Sequence, residues 1–374
     1  MSEPGPIRVA ILFGGQSAEH EISILSARHV LAALDRSRFE PVLIGIDKSG
    51  RWLTQDTQRL LSSAHDPRQV KVHDGAPAPM SSPFAGSGAS AAASQRPIEV
   101  VFPVLHGTLG EDGAIQGLLE VAGIPYVGAG ILGSAVGMDK DVAKRLLRDA
   151  GIPVADFRTV RRPRFDADPP AVCNELSALG FPLFTKPANA GSSVGVRKVQ
   201  TAAALPAAIR HAFEFDSKIL AEAAISGREI ELSVLGDTPP AVSVAGEIVV
   251  EHPDGFYSYD AKYIDEHGAR LELPARLSPA QLAQAQALAL QTFEVLECEG
   301  MARVDMFLAT DGRLLINEIN TIPGFTAISM YPKLWALSGI GPTELVSRLI
   351  DLALRRGQRR AALRRSISSD PSSQ

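Results

Sequence analysis

Residues 302–326 read ARVDMFLATDGRLLINEINTIPGFT, and the types and spacing of their polar side chains could do chemistry. Two apolar runs, 302–308 and 313–319, meet at Asp311-Gly312, a hairpin turn signal. Side chains alternate faces along a strand, so Arg303 and Asp305 share one face and Glu318 and Asn320 share one face. Across a hairpin the two sets can converge. Two carboxylates and an amide oxygen are the hard ligands that Mg²⁺ prefers, and Arg303 adds a fixed positive charge for a developing anion. The loop at Pro323-Gly324 then offers the Gly324 backbone N–H beside the cluster for an oxyanion. A half-buried hairpin with a solvated charged face has the same alternation, so the hairpin alone leaves both readings open. The flanking run Asn317-Glu-Ile-Asn-Thr-Ile-Pro-Gly324 favours the site.

Three further segments carry chemistry-bearing residues. In Phe184-Thr-Lys-Pro-Ala-Asn-Ala-Gly-Ser-Ser-Val-Gly195, Lys186 ends a strand as a point charge suited to phosphate. Gly191, Ser192, Ser193 and Gly195 let the backbone approach a phosphate closely. This is no Walker loop, because GxxxxGK[ST] followed by a helix is missing, and alone it reads equally as a turn. In Ile219-Leu-Ala-Glu222 and Ser226-Gly-Arg-Glu-Ile-Glu231, a strand ending at Glu222 can present backbone to an adenine edge, and Glu229 can accept from ribose hydroxyls. A polar loop between strands is the bland alternative. In Gly14-Gly-Gln-Ser-Ala-Glu-His-Glu-Ile-Ser23, glycines after a strand bring a helix N-terminus toward a ligand, and Glu19 suits a substrate ammonium or simply the helix dipole.

These residues need elements to hold them. Ile7 to Phe13 reads as a strand, followed by a helix with Ser17 as N-cap, Glu19 in its first turn, and Ile24, Ala27, Leu31 and Leu34 on one face. Pro41 to Ile46 is the next strand, so this part is expected to be a parallel sheet with a right-handed crossover. Residues 74–97 are small, Pro-rich and nearly uncharged, and read as a disordered surface insertion. Glu99 to Leu105 resumes the sheet and ends at His106-Gly107, and the turn-rich run 123–130 closes the first domain. Asp139 caps a short helix that Gly151 and Pro153 end. Strands are expected at 181–186, 194–199 and 218–222. Ser278-Pro279 starts a long helix with Leu282, Ala285, Ala289, Phe293 and Leu296 on its apolar face.

Composition narrows the classes. A net charge of −5 over 374 residues gives no reason to expect a nucleic-acid partner. The arginines at 355, 356, 359, 360, 364 and 365 read as a solvated helix end leading into a polar tail. Cys173 and Cys298 have no metal-ligand spacing and read as packed thiols. No apolar run approaches the length of a membrane span and no secretory leader is evident, so a cytoplasmic protein is expected.

Taken in order, GGQSAEHEIS, LHGTLGEDGAIQG, MDK, KPANAGSSVG, EAAISGREIE, YDAKY, ARVDMF and NEINTIPGFT resemble the D-alanine–D-alanine ligases of the ATP-grasp superfamily over roughly residues 7–350. Each motif is moderate evidence; the ordered set is very specific. The resemblance implies an α/β fold of three domains, α+β in its ATP-grasp part. The expected division is an N-terminal parallel-sheet substrate domain over 1–128, a central ATP-grasp subdomain over 129–221, a catalytic subdomain over 222–358 and a basic, polar tail over 359–374.

It further implies that Glu19 binds the ammonium of the first D-alanine, with His106 beside that substrate. Lys140 and Lys186 hold nucleotide phosphates, Glu222 marks the adenine hinge and Glu229 the ribose. Lys262 contacts the γ-phosphate and second substrate, and Tyr263 closes over the site with Ser192 and Glu19. Arg303 and the Gly324 N–H form an oxyanion hole; Asp305, Glu318 and Asn320 ligate two Mg²⁺ (or Mn²⁺) ions; Ser329 holds the second carboxylate. ATP and D-alanine are the implied substrates, a homodimer the implied assembly, and supply of peptidoglycan precursors the implied role. The segment 254–269 is expected to be the lid that excludes water. Ala223 departs from relatives that carry a long or basic residue after the hinge glutamate, which puts packing on the base in doubt. Ligases that use D-lactate or D-serine second, a non-catalytic nucleotide-binding regulator and a biotin-carboxylase-like enzyme are the competing readings.

Overall fold

The computed structural model describes residues 5–62, 66–78, 96–236, 238–251 and 268–364. Lys262, Tyr263, most of the expected lid and most of the expected insertion lie outside the described residues. Three sheets organise the rest. The first, in the order β3-β2-β1-β4, comprises β1 (Ile7–Gly14), β2 (Phe39–Ile46), β3 (Trp52–Gln55) and β4 (Val100–Pro103). β1 pairs in parallel with β2 and β4, while β3 is antiparallel to β2. Val9, Ala10, Ile11 and Leu12 are all buried, which explains a continuous apolar run rather than an alternating one: both faces of β1 are covered.

The helix after β1 spans His20–Ala33, with Glu19 at its N-cap position and without a side-chain cap bond. Ser17 therefore does not cap it, contrary to expectation. Its hydroxyl instead accepts the Glu19 N–H at 3.2 Å and donates to the His106 carbonyl at 2.7 Å, folding the turn against the neighbouring loop. Ile24, Ala27, Leu31 and Leu34 are buried as expected.

The second sheet, β5-β8-β6-β7, is antiparallel and comprises β5 (Phe157–Arg161), β6 (Leu183–Pro187), β7 (Arg197–Val199) and β8 (Lys218–Ala223). β7 starts at Arg197 rather than Val194, because the turn runs on through Gly195, whose left-handed φ of 73° a strand cannot accommodate, and the Val196 N–H still donates to the Ser193 carbonyl. This sheet has its own apolar core around Val160, Leu176, Leu183, Ile209 and Phe213. Asp139 accepts the Val142 N–H and starts the helix Lys140–Asp149 as expected.

The third sheet, β11-β10-β9-β12-β13, is also antiparallel: β9 (Gly227–Gly236), β10 (Ala241–Val250), β11 (Ala269–Glu272), β12 (Gly300–Ala309) and β13 (Leu314–Asn320). The helix Pro279–Val295 lies against it with Ala285, Ala289 and Phe293 buried; Ser278 and Gln281 form a reciprocal capping box at its start. The last two helices, Met330–Leu337 and Pro342–Ala361, turn back to the first sheet. Phe325, Tyr331, Trp335, Leu345 and Leu349 share one core with Val9, Ile11, Phe13, Phe102 and Leu31. Among the described residues no helix is long and apolar enough to cross a membrane.

Candidate active site

The two polar sets of the β12–β13 hairpin converge, and a bulge rather than plain alternation brings them together. Arg303 lies opposite Asn320 and Asp305 opposite Glu318. Beyond Asp305 the register slips by one, leaving Asn317 as an extra residue on β13, a bulge that re-aims the strand end carrying Glu318 and Asn320. The Asn320 amide donates to Asp305 Oδ2 at 2.9 Å. Arg303 grips the same carboxylate in a fork, Nε to Oδ1 at 2.7 Å and a terminal nitrogen to Oδ2 at 2.6 Å. Its Nε also lies 2.9 Å from Glu231 Oε2, and Glu231 faces Asp305 across β9 and β12. Burial opposes the guanidinium charge, but Asp305 and Glu231 outweigh it and raise the Arg303 pKa well above its usual value.

Two carboxylates and an amide oxygen suit a hard divalent cation that keeps some positions for water and phosphate. Among the described residues there is no group of three or more His, Cys, Asp or Glu side chains placed to hold a metal, so an ion here depends on the Asn320 oxygen and on ligands that arrive with the nucleotide. The donor chemistry fits Mg²⁺ or Mn²⁺.

The phosphate-side lysines approach from two elements, Lys186 from β6 of the second sheet and Lys140 from the start of the helix Lys140–Asp149. Lys140 Nζ donates to the Ala190 carbonyl at 2.6 Å and lies 3.7 Å from Glu318 Oε2, so it joins the Gly/Ser loop to the hairpin. Lys186 Nζ donates to Glu222 Oε1 at 2.8 Å, and Lys144 Nζ lies 2.8 Å from the other oxygen, Oε2. Burial would raise the Glu222 pKa, but these two ammonium groups outweigh it and hold the carboxyl below its ordinary range. At the hinge the Ala223 N–H donates to the Asp156 carbonyl at 2.9 Å and the Ala224 N–H to that of Pro182 at 3.2 Å, so neither donor is left for a base. Lys140, Lys186, Glu222, Ala223, Glu229, Asp305 and Glu318 line a cleft of about 550 Å³ between the second and third sheets.

The first sheet contributes Glu19, which is buried and accepts a hydrogen bond from the Ser192 hydroxyl. A Cβ on Gly191 would stand 2.5 Å from Glu19 Oε2, and one on Gly107 2.6 Å from the same atom. Two loops thus approach this carboxylate so closely that a Cβ at either glycine would displace it. The left-handed Ser192 and Ser193 cost on the order of 1 kcal/mol each, strain that a plain surface turn has no reason to keep.

His106 lies close to Glu19 but both its ring nitrogens are committed to the fold: Nε2 is 2.9 Å from Ser26 Oγ and Nδ1 3.0 Å from the Ile322 carbonyl. Burial lowers its pKa, keeping the ring neutral, with one nitrogen donating and the other accepting. Ser26 Oγ in turn accepts the Phe325 N–H at 3.2 Å. His106 therefore braces the loop that carries Gly324. Ser329, at the N-cap of Met330–Leu337, accepts from the Thr326 N–H at 3.0 Å, and a Cβ on Gly324 would stand 2.9 Å from its hydroxyl.

Three site residues escape motif reading. Glu111 accepts the Gly107 N–H at 2.7 Å and the Ile322 N–H at 3.3 Å, joining the two loops. Burial first, and then the Glu19 charge, push its pKa up to about 8. Glu231 and Lys144 are the others. Their signals were the GEDG run, the second glutamate of REIE and the second lysine of MDKDVAK, none of which names a partner.

Comparison with known proteins agrees with this geometry. Residues 8–129 match the family model described as D-ala D-ala ligase N-terminus, and residues 146–351 the one described as D-ala D-ala ligase C-terminus. A D-alanine–D-alanine ligase A of Chromobacterium violaceum is 52% identical over 97% of this chain and 99% of its own. The solved structure of the D-alanine–D-alanine ligase from Coxiella burnetii superposes with a TM-score of 0.79 at 36% identity, covering 96% of this chain and 97% of its own. The VanG D-Ala:D-Ser ligase from Enterococcus faecalis superposes with a TM-score of 0.76 at 33% identity, covering 93% and 99%. With both halves of the fold matched and a half-identical relative along nearly its full length, the chain belongs to the D-alanine–D-alanine ligase family.

Proposed function

We propose that this enzyme joins two D-alanines to D-alanyl-D-alanine at the expense of ATP, through a D-alanyl phosphate, and so supplies a peptidoglycan precursor in the cytoplasm. The observation that carries the reading is the meeting of three separate sheets at one place: Glu19 with Ser192, Lys140 with Glu318, and Arg303 with Asp305 and Asn320.

Glu19 holds the ammonium of the first D-alanine and aims its carboxylate at the γ-phosphorus. Lys140 and Lys186 take the phosphates, with Glu222 and Glu229 on the adenosine side. Asp305, Glu318 and Asn320 would hold two Mg²⁺ or Mn²⁺ ions, which neutralise charge on the transferring phosphoryl group. Attack forms the acyl-phosphate and releases ADP. The amine of the second D-alanine, its carboxylate at Ser329, then attacks the activated carbonyl. Arg303 and the Gly324 N–H stabilise the tetrahedral oxyanion, a role worth about 3 kcal/mol per donor, and inorganic phosphate leaves. In this reading Lys262 contacts the γ-phosphate and the second substrate, and Tyr263 with Ser192 and Glu19 closes the site against water, which would otherwise hydrolyse the acyl-phosphate. Holding the ammonium and carboxylate of the first substrate leaves the methyl direction to tell D from L. The working unit in this reading is a homodimer.

The test is phosphate release from ATP and Mg²⁺ with D-alanine, L-alanine, or D-alanine mixed with D-lactate or D-serine, the products identified by mass. Release with D-alanine alone and a D-alanyl-D-alanine mass is the expected result. Preference for the mixed product moves the second-substrate assignment toward the D-serine-using relative. ATP binding without turnover on any of these overturns the reading.

A further inference from the structure

Glu222 is a buried carboxylate with a cation on each oxygen. Lys186, on the adjacent strand β6, reaches Oε1 at 2.8 Å and lines the nucleotide cleft. Lys144, four residues beyond Lys140 on the helix Lys140–Asp149, reaches Oε2 at 2.8 Å. Its side chain is only 2% exposed, against 11% for Lys186, and it is not among the residues lining the cleft. An ammonium is thus kept behind the wall of the cleft rather than in it.

We propose that Lys144 is a positioning residue, which keeps Glu222 paired so that Lys186 can leave that carboxylate for the nucleotide phosphates. With one lysine, Glu222 and Lys186 would form a closed pair, and drawing Lys186 away would strand a buried charge, which is strongly disfavoured. With two, the trio carries one excess positive charge, directed into the cleft through the lysine that can move. A polyphosphate takes up that charge, and Lys144–Glu222 remains a balanced pair behind it. Lys144 thus sets how available Lys186 is, without touching the ligand.

The inference rests on Lys186 as a phosphate-binding residue, and the experiment separates the two. Titration calorimetry with MgATP and with adenosine is run on the full-length enzyme and on Lys144→Met, Lys186→Met, Glu222→Gln and Lys144→Met/Glu222→Gln, with urea unfolding of each. The expected result is that Lys144→Met weakens MgATP by on the order of tenfold while adenosine binding changes little. Adding Lys144→Met to Glu222→Gln then shifts MgATP affinity by less than about twofold, because the lysine acts only through that carboxylate. Should Lys144→Met fail to fold, this second comparison decides alone. Equal losses for adenosine and MgATP, or a full tenfold loss persisting in the Glu222→Gln background, overturn the proposal. Loss of MgATP affinity in Lys186→Met with none in Lys144→Met overturns the positioning role and leaves the phosphate assignment standing. Undiminished affinity in Lys186→Met overturns the phosphate assignment, and the inference with it.

Discussion

Gly191→Ala is a one-carbon change whose effect can be worked from the structure. The new methyl would stand 2.5 Å from Glu19 Oε2, well inside contact, while φ at this glycine lies outside the left-handed region. The obstructing atom is the end of a side chain, so the protein yields by turning the Glu19 carboxylate and the backbone is spared. What is lost is the hydrogen bond from Ser192 to Glu19 and the aim of that carboxylate at a substrate ammonium. A hydrogen bond to a charged group is worth about 2 kcal/mol, which is about thirtyfold in kcat/KM. Steady-state kinetics in D-alanine should show that loss, most of it in KM for the first substrate, while the urea unfolding midpoint stays near that of the parent. Gly227→Ala is the counterpart: there a Cβ meets the backbone carbonyl of Leu308, so stability should fall. Parental D-alanine kinetics in a folded Gly191→Ala would refute the claim that Glu19 must sit where the glycine leaves room for it.

Two further perturbations follow from charges in the site. Arg303→Lys keeps the charge but loses the fork on Asp305, so kcat for dipeptide formation should fall by about 100-fold while the Kd for ATP changes little; a kcat within threefold of the parent would remove Arg303 from the oxyanion role. Glu111 has a folded-state pKa raised to about 8, above its unfolded value near 4.5. Between these two values the folded state binds more protons, so its contribution is complete below the unfolded pKa and is lost as pH rises toward 8. Unfolding free energies from pH 4.5 to 9 should therefore decline more steeply for the parent than for Glu111→Gln; parallel profiles would show that Glu111 does not carry this proton.

The hairpin was legible because three local rules agreed: strand alternation, an Asp-Gly turn that sets the register, and oxygen ligands at alternate positions. The pairing next to the turn, Leu308 with Leu314 and Met306 with Ile316, follows from those rules. The Asn317 bulge, which brings Glu318 opposite Asp305 and Asn320 opposite Arg303, does not, since an inserted residue leaves no mark in apolar alternation this short. The Ser278 capping box was legible for the same local reason, whereas Ser17 misled, because a serine near a helix start can serve a turn as readily as a cap. Glu111, Glu231 and Lys144 were out of reach. The meaning of each is a partner supplied by another strand or loop, Glu111 meeting Ile322 across 211 positions of chain. His106 was read as a substrate neighbour, and its partners Ser26 and Ile322 also give it a bracing role that no spacing announces.

The shared core of the first sheet and the last two helices bears on how such a chain can be divided. The family models meet this sequence as two consecutive pieces, 8–129 and 146–351, yet Val9, Ile11 and Phe102 are buried by Tyr331, Trp335 and Leu349 from the far end of the chain. A polypeptide cut between the two pieces would give fragments that each expose the other's apolar face. Exchange of the first piece between relatives likewise carries its own half of a jigsaw, so a viable chimera must bring the helices of 330–361 with it. The second sheet keeps an apolar core of its own around Val160, Leu183 and Phe213, yet an exchange of that sheet must also keep a partner for Lys144 at Glu222.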